Sequence, residues 1–139
     1  MILRGVMERN EAQPAAMVEI LKQKLGVLEG KRIGILGLSF KPETDDIRES
    51  RAVPVIRQLL KEGAKVRAYD PRAMIPFRKI FPAIDYASTA SDVLDTDAVL
   101  IITEWDEFND LDYTGKIVVD GRRIDRARET ARIYEGVCW

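Results

Sequence analysis

Lys31-Arg32-Ile33-Gly34-Ile35-Leu36-Gly37 is a short apolar run entered through two basic residues and closed by glycine. It is apolar on successive positions and too short for a core helix, so it reads as a parallel strand buried on both faces. The same form returns at Lys65-Val66-Arg67-Ala68-Tyr69, which ends in the turn pair Asp70-Pro71. It returns again at Ala98-Val99-Leu100-Ile101-Ile102 and at Lys116-Ile117-Val118-Val119-Asp120, and Ala131 to Tyr134 adds an edge strand. Helical patterns separate these runs. Val53, Ile56, Leu59 and Leu60 mark a helix stopped by Gly63, with Pro54 in its first turn because proline has no amide hydrogen to donate. A shorter pattern spans Ala73 to Ile80 across Pro76, and Ser88 to Leu94 forms a short helix capped by Ser88 or Thr89.

Strands alternating with helices at this spacing predict an α/β fold, a Rossmann-like open parallel sheet with helices on both faces. A ligand crevice then lies outside the carboxyl ends of the strands. An N-terminal helix precedes the sheet: from about Glu11 to Leu25, the residues Ala15, Met17, Val18, Leu21 and Leu25 recur at helical spacing. Pro14 suits its first turn and Gly26 its end. Its apolar stripe packs either on this sheet or on a neighbouring chain or domain. The boundary near Gly26 to Gly30 divides the chain into a helical segment, 1–29, and a sheet domain, 30–139.

The composition narrows the chemistry. With 22 basic and 23 acidic residues, the chain has no overall field to attract nucleic acid or an anionic membrane. An anionic ligand must be held by a local cluster of cations. Histidine is absent, which removes Ser-His-Asp and Cys-His catalysis and the commonest metal ligand. Cys138 is the only cysteine, so no internal disulfide and no four-cysteine zinc site can form, and a reducing compartment is expected. No apolar run approaches the roughly 18 residues of a membrane span, and Met1 to Asn10 lacks a signal-type stretch. A cytoplasmic protein is expected.

The segments after the strands line the crevice. The first strand delivers a long polar loop, Phe40-Lys41-Pro42-Glu43-Thr44-Asp45-Asp46-Ile47-Arg48-Glu49-Ser50, and loops of this length in compact domains are often functional. The others deliver Asp70-Pro71-Arg72, Thr103-Glu104-Trp105-Asp106 and Asp120-Gly121-Arg122-Arg123. Lys41, Arg122 and Arg123 thus converge on one edge, joined by Arg48. A diphosphate needs that arrangement, with lysine as a point charge and the arginine fork giving paired hydrogen bonds. Ordinary ion pairs are the alternative, Arg48 with Asp45 or Asp46 and Arg122 with Asp120. Gly34 and Gly37 do not fit the dinucleotide pattern G-x-G-x-x-G, and are read as places of close approach to a helix or ligand. Trp105 and Phe108 read as rings closing the edge of the core. Cys138, next to the last residue, reads as incidental.

Taken together, Gly34-Ile35-Leu36-Gly37-Leu38-Ser39-Phe40-Lys41-Pro42 and Thr44-Asp45-Asp46-Ile47-Arg48-Glu49-Ser50 resemble the C-terminal domain of the UDP-glucose and GDP-mannose dehydrogenases. Gly63, Val66, Tyr69-Asp70-Pro71, Thr103-Glu104-Trp105-Asp106-Glu107-Phe108 and Asp120-Gly121-Arg122-Arg123 continue the match in order, so that it covers about Gly30 to Arg123. The resemblance implies an enzyme that oxidises the C6 hydroxyl of a UDP-sugar to a carboxylate in two steps with NAD, through a thiol-linked intermediate. It implies that Phe40, Lys41, Arg122 and Arg123 bind the UDP-sugar and that Arg48 reaches toward NAD held mainly by an N-terminal domain. Glu104 and Trp105 would lie near the nucleotide, and Asp45, Asp46, Glu49 and Ser50 would shape the loop and cap the next helix. The segment 1–29 resembles the end of the helix that links the central domain to this one. This sequence has neither the G-x-G-x-x-G nor the catalytic cysteine in its glycine-rich setting, so no catalytic residue is assigned. The expected partners are a UDP-sugar, the remaining dehydrogenase domains or a second subunit, with a homodimer in view. A non-catalytic nucleotide-binding, interaction or remnant domain is the alternative, and a phosphorylation receiver is disfavoured because Lys116 precedes its strand.

Overall fold

A computed structural model of the chain describes residues 15–39 and 50–137. Among these, helix α1 covers residues 15–25 and stops at Gly26, whose φ of 78° turns the chain while its amide donates to the Lys22 carbonyl. The strands are β1 (Arg32–Leu36), β2 (Lys65–Tyr69), β3 (Asp85–Tyr86), β4 (Ala98–Ile101), β5 (Ile117–Asp120) and β6 (Ile133–Gly136). They form one sheet in the order β3-β2-β1-β4-β5-β6, with every neighbouring pair parallel. The order reverses between β1 and β4, which is where open α/β sheets place their ligands. The register aligns Leu36 with both Tyr69 and Ile101, and Ile101 with Asp120. Gly37, Asp70, Ile102 and Gly121 therefore leave the sheet side by side.

Side-chain alternation along the buried strands divides the core in two. On one face, Ile33, Ile35, Val66, Ala68, Leu100 and Val119 meet α1, helix α2 (Ala52–Lys61) and helix α3 (Met74–Ile80). On the other, Leu36, Val99, Ile101 and Val118 meet helix α4 (Ala90–Val93), the 3₁₀ turn Asp106–Asp110 and helix α5 (Asp125–Thr130). The expected α/β sheet with helices on both faces is the observed one. The stripe of α1 lies on this core: Met17, Val18 and Leu21 are buried, each contributing about 1.5–3 kcal/mol of apolar burial. A 3.0 Å ion pair from Lys22 to Glu62 fixes α1 against the end of α2.

The prolines stand where a helix tolerates them, Pro54 third in α2 and Pro76 third in α3. Thr89 is the cap of α4, its hydroxyl accepting from the Asp92 amide at 3.3 Å. The last strand runs over Ile133–Gly136 instead of Ala131 to Tyr134, because Ala131 makes an isolated antiparallel bridge to Thr114 before the parallel pairing with β5 begins. Gly34 is a point of close approach: a Cβ there would stand 2.6 Å from both Cγ1 and the carbonyl oxygen of Val93. Only glycine lets α4 seat this closely on β1.

Candidate functional site

Asp70 directly follows β2 and is fully buried. Its Oδ2 accepts from the amides of Leu38 and Ser39 at 2.8 and 3.0 Å, from the Ser39 hydroxyl at 3.2 Å and from Trp105 Nε1 at 3.1 Å. Its Oδ1 accepts from the amides of Arg72 and Ala73 at 2.8 and 2.9 Å. One carboxylate thus joins the chain after β1, the turn after β2 and the loop after β4. A charged acceptor surrounded by donors is how burial of a carboxylate becomes tolerable.

Two hydroxyls complete the frame. Ser50 donates to the Leu38 carbonyl at 2.7 Å and accepts from the Ala52 amide at 3.2 Å, so it both clamps the chain after β1 and opens α2. Thr103 donates to the Ser39 carbonyl at 2.8 Å. Gly37 makes the crossing possible: its φ is 99°, and a Cβ would stand 2.5 Å from the Thr103 backbone nitrogen. Leu38, Ser39 and Ser50 are therefore fixed on both sides of residues 40–49. Phe40, Lys41, Asp45, Asp46 and Arg48, singled out in the sequence, lie outside the described residues, as does Cys138.

Asp120 repeats the design at the end of β5. It is buried, and accepts from the amides of Arg122 at 2.7 Å and Ile124 at 2.5 Å and from the Tyr134 hydroxyl at 2.9 Å. Burial pushes its carboxyl above the usual range, and these donors oppose the push. Between the bound amides Arg123 is forced to a φ of 61°, a left-handed conformation costly for a residue with a Cβ. This turn sends the two arginines to different places. Arg122 Nη2 donates to Glu104 Oε1 at 2.6 Å, across to the loop after β4. Its alternative partner, Asp120, is engaged by the Arg122 amide instead. Arg123 lines a separate cavity of about 410 Å³ with Asp125, Arg128, Tyr134, Gly136 and Val137.

Arg51 lies close to Arg122. Its guanidinium is held below the usual arginine range, first by burial and then by the positive charge of Arg122. The sequence reading passed over Arg51, which stands just past the long loop and carries no motif of its own. Trp105 and Phe108 are buried in the second core face, as expected of rings closing the edge. Among the described residues no group of three Asp, Glu, Cys or His side chains could hold a metal, and no helix is long and apolar enough to cross a membrane.

Comparison with known proteins agrees with this geometry. The sequence model of the UDP-glucose/GDP-mannose dehydrogenase family, UDP binding domain, matches residues 34–126. The chain is 47% identical over 134 residues to the UDP-glucose 6-dehydrogenase AglM of Haloferax volcanii, covering 92% of this chain and 31% of that protein. It is 42% identical over 115 residues to the UDP-glucose 6-dehydrogenase of Rhizobium meliloti, covering 77% and 26% respectively. The structure of a UDP-glucose dehydrogenase from Pyrobaculum islandicum superposes with a TM-score of 0.94 at 46% identity, over 98% of this chain and 32% of that one. The GDP-mannose dehydrogenase of Pseudomonas aeruginosa, solved as a ternary complex, superposes with a TM-score of 0.80 at 25% identity, over 99% and 34%. The chain thus spans about a third of the length of these relatives. It belongs to the UDP-glucose/GDP-mannose dehydrogenase family, of which it is the C-terminal, UDP-binding domain.

Proposed function

We propose that the chain supplies the nucleotide-sugar half-site of an NAD-dependent UDP-sugar 6-dehydrogenase of the cytoplasm. The observation that carries this reading is the crevice at the strand-order reversal, where buried Asp70 and Asp120 fix the loops that present Arg122 and the stem of residues 40–49. Phe40, Lys41, Arg122 and Arg123 hold the UDP-sugar. Arg48 reaches to NAD, which is bound mainly by a domain outside this sequence. That division suits the chain, in which Gly34 and Gly37 serve close packing and not a G-x-G-x-x-G turn. The helix within 1–29 links the domain 30–139 to a catalytic partner domain or subunit, and the chain itself provides binding and orientation, not the oxidising groups.

The test is calorimetric titration of the purified chain with UDP, UDP-glucose, GDP-mannose and NAD. Saturable binding of the uridine ligands with none for NAD is the expected result. Failure of every nucleotide to bind would favour a non-catalytic interaction or remnant domain.

A further inference from the structure

Tyr134 stands beside Val118 in the register of β5 and β6, and by alternation Val118, Asp120 and Tyr134 share one face of the sheet. The position opposite Asp120 is Gly136, which has no side chain. The tyrosine ring runs over that place, 3.6 Å from where a Cβ of residue 136 would stand, and carries its hydroxyl to Asp120 Oδ2 at 2.9 Å. It thus reaches two residues along the sheet, about 6.6 Å. The carboxylate does not need this bond to pair its oxygens. The amide of Arg122 already serves Oδ1, and that of Ile124 serves Oδ2. Both amides belong to the turn that Asp120 holds, so they can move with it. The hydroxyl comes from another strand and fixes the carboxylate's rotation relative to the sheet. Between the two amides lies Arg123, whose φ of 61° is the one left-handed value outside glycine among the described residues. Such a conformation persists only where its surroundings hold it. It is also what sends Arg122 toward the loop after β4 and Arg123 to the cavity that Tyr134 helps to line.

We propose that Tyr134 is a positioning residue of the nucleotide-sugar site: its hydroxyl locks the Asp120 carboxylate, and through it the left-handed turn that aims Arg122 and Arg123. The inference rests on the reading above that these arginines hold the UDP-sugar. It adds a residue of the edge strand that touches no ligand and acts through a carboxylate.

Titration of UDP-glucose into the chain and into Tyr134→Phe, from about pH 4, near the ordinary aspartate value, to about pH 8, tests this. The substitution removes one oxygen and keeps the ring. It should weaken binding at neutral pH about three- to tenfold while lowering the melting temperature by about a few degrees. Losing a donor also raises the Asp120 carboxyl further above its usual range. Protonation takes an acceptor from the turn, so the loss of affinity on acidification should begin at higher pH in the variant, by about half a unit or more. The other titratable and charged groups facing the pair are Tyr113, ahead of β5, and Asp125 and Arg128 of α5. Repeating the series in an Asp125→Asn background removes the second carboxylate. A variant that melts lower yet binds as the parent does would overturn the proposal, since the hydroxyl would then serve stability alone. Weaker binding with the acid limb unmoved would overturn it too, because the effect would not pass through Asp120. Should the variant unfold too readily to titrate, sucrose restores the folded state for the same comparison. If the parent chain binds no UDP-glucose at any pH, the reading of the site falls and the positioning role with it. Binding by the parent that the variant matches throughout removes the positioning role alone.

Discussion

Replacing Asp70 with alanine removes the acceptor for six donors at once: the amides of Leu38, Ser39, Arg72 and Ala73, the Ser39 hydroxyl and the Trp105 indole. A buried donor left unpaired costs about 1–3 kcal/mol. The costs do not add, because water enters the space left by the carboxylate and re-pairs part of the set, the half-buried Arg72 amide most easily. A loss of about 3–5 kcal/mol is therefore expected, which lowers the melting temperature of a chain of this size by about 10–20 °C. Asp70→Asn should lose about 2–3 kcal/mol, since one oxygen survives while the new amide faces donors. Urea unfolding followed by tryptophan fluorescence measures both, and Trp105 reports the site directly. The denaturant slope should stay near that of the parent chain while the midpoint falls. An alanine variant within 1 kcal/mol of the parent would refute the view that this carboxylate ties the three loops together.

Gly37→Ala should cost about 3 kcal/mol or more, as its φ of 99° and a Cβ only 2.5 Å from Thr103 leave no room to relax; a melt within a degree or two of the parent would contradict the crossing described. Ile101→Asp puts an unpaired charge into a fully buried strand and should abolish the folded far-ultraviolet circular dichroism signal at room temperature. All four tyrosines are held above the ordinary phenol range, chiefly by burial, with Tyr69 and Tyr86 pushed up to about 12. Their neutral forms favour the fold, so this stability is intact below pH 10, the unfolded value, and is lost as pH climbs through 12; a tyrosine absorbance titrating near pH 10 with the fold intact would contradict this. Arg122→Ala should weaken UDP binding about tenfold or more with little change in melting temperature, because among the described residues its guanidinium makes its ion pair with the half-exposed Glu104.

How much of this was legible in the sequence differs from element to element. The strand at Lys65–Tyr69 was read to the residue, since an apolar run bounded by Gly63 and Asp70-Pro71 has few other fates. The two-residue strand Asp85–Tyr86 and the 3₁₀ turn Asp106–Asp110 were not read, because neither is long enough to show a period. Helix α5 is missed for a similar reason: in Asp125–Thr130 only Ala127 is buried, so no stripe forms. The cations proposed for the crevice stood out by type and position. The carboxylates that organise it did not, since an acid in a turn reads as solvated until its neighbours are known. A usable signal exists in hindsight: Asp70 and Asp120 each close a parallel strand immediately before Pro71 or Gly121, where turn amides need an acceptor. The partner of Arg122 was beyond the reach of sequence, because Glu104 belongs to a different loop and only the alignment of β4 with β5 brings the two together.

The central claim is that nucleotide binds at the carboxyl edge of the sheet, and amide chemical-shift mapping of the ¹⁵N-labelled chain with UDP tests it most directly. The largest saturable shifts should fall at Gly37 to Ser39, Ser50 and Arg51, Thr103 to Trp105, and Gly121 to Arg123. Shifts centred instead on the amino ends of the strands, at Arg32, Lys65, Ala98 and Ile117, would contradict the account.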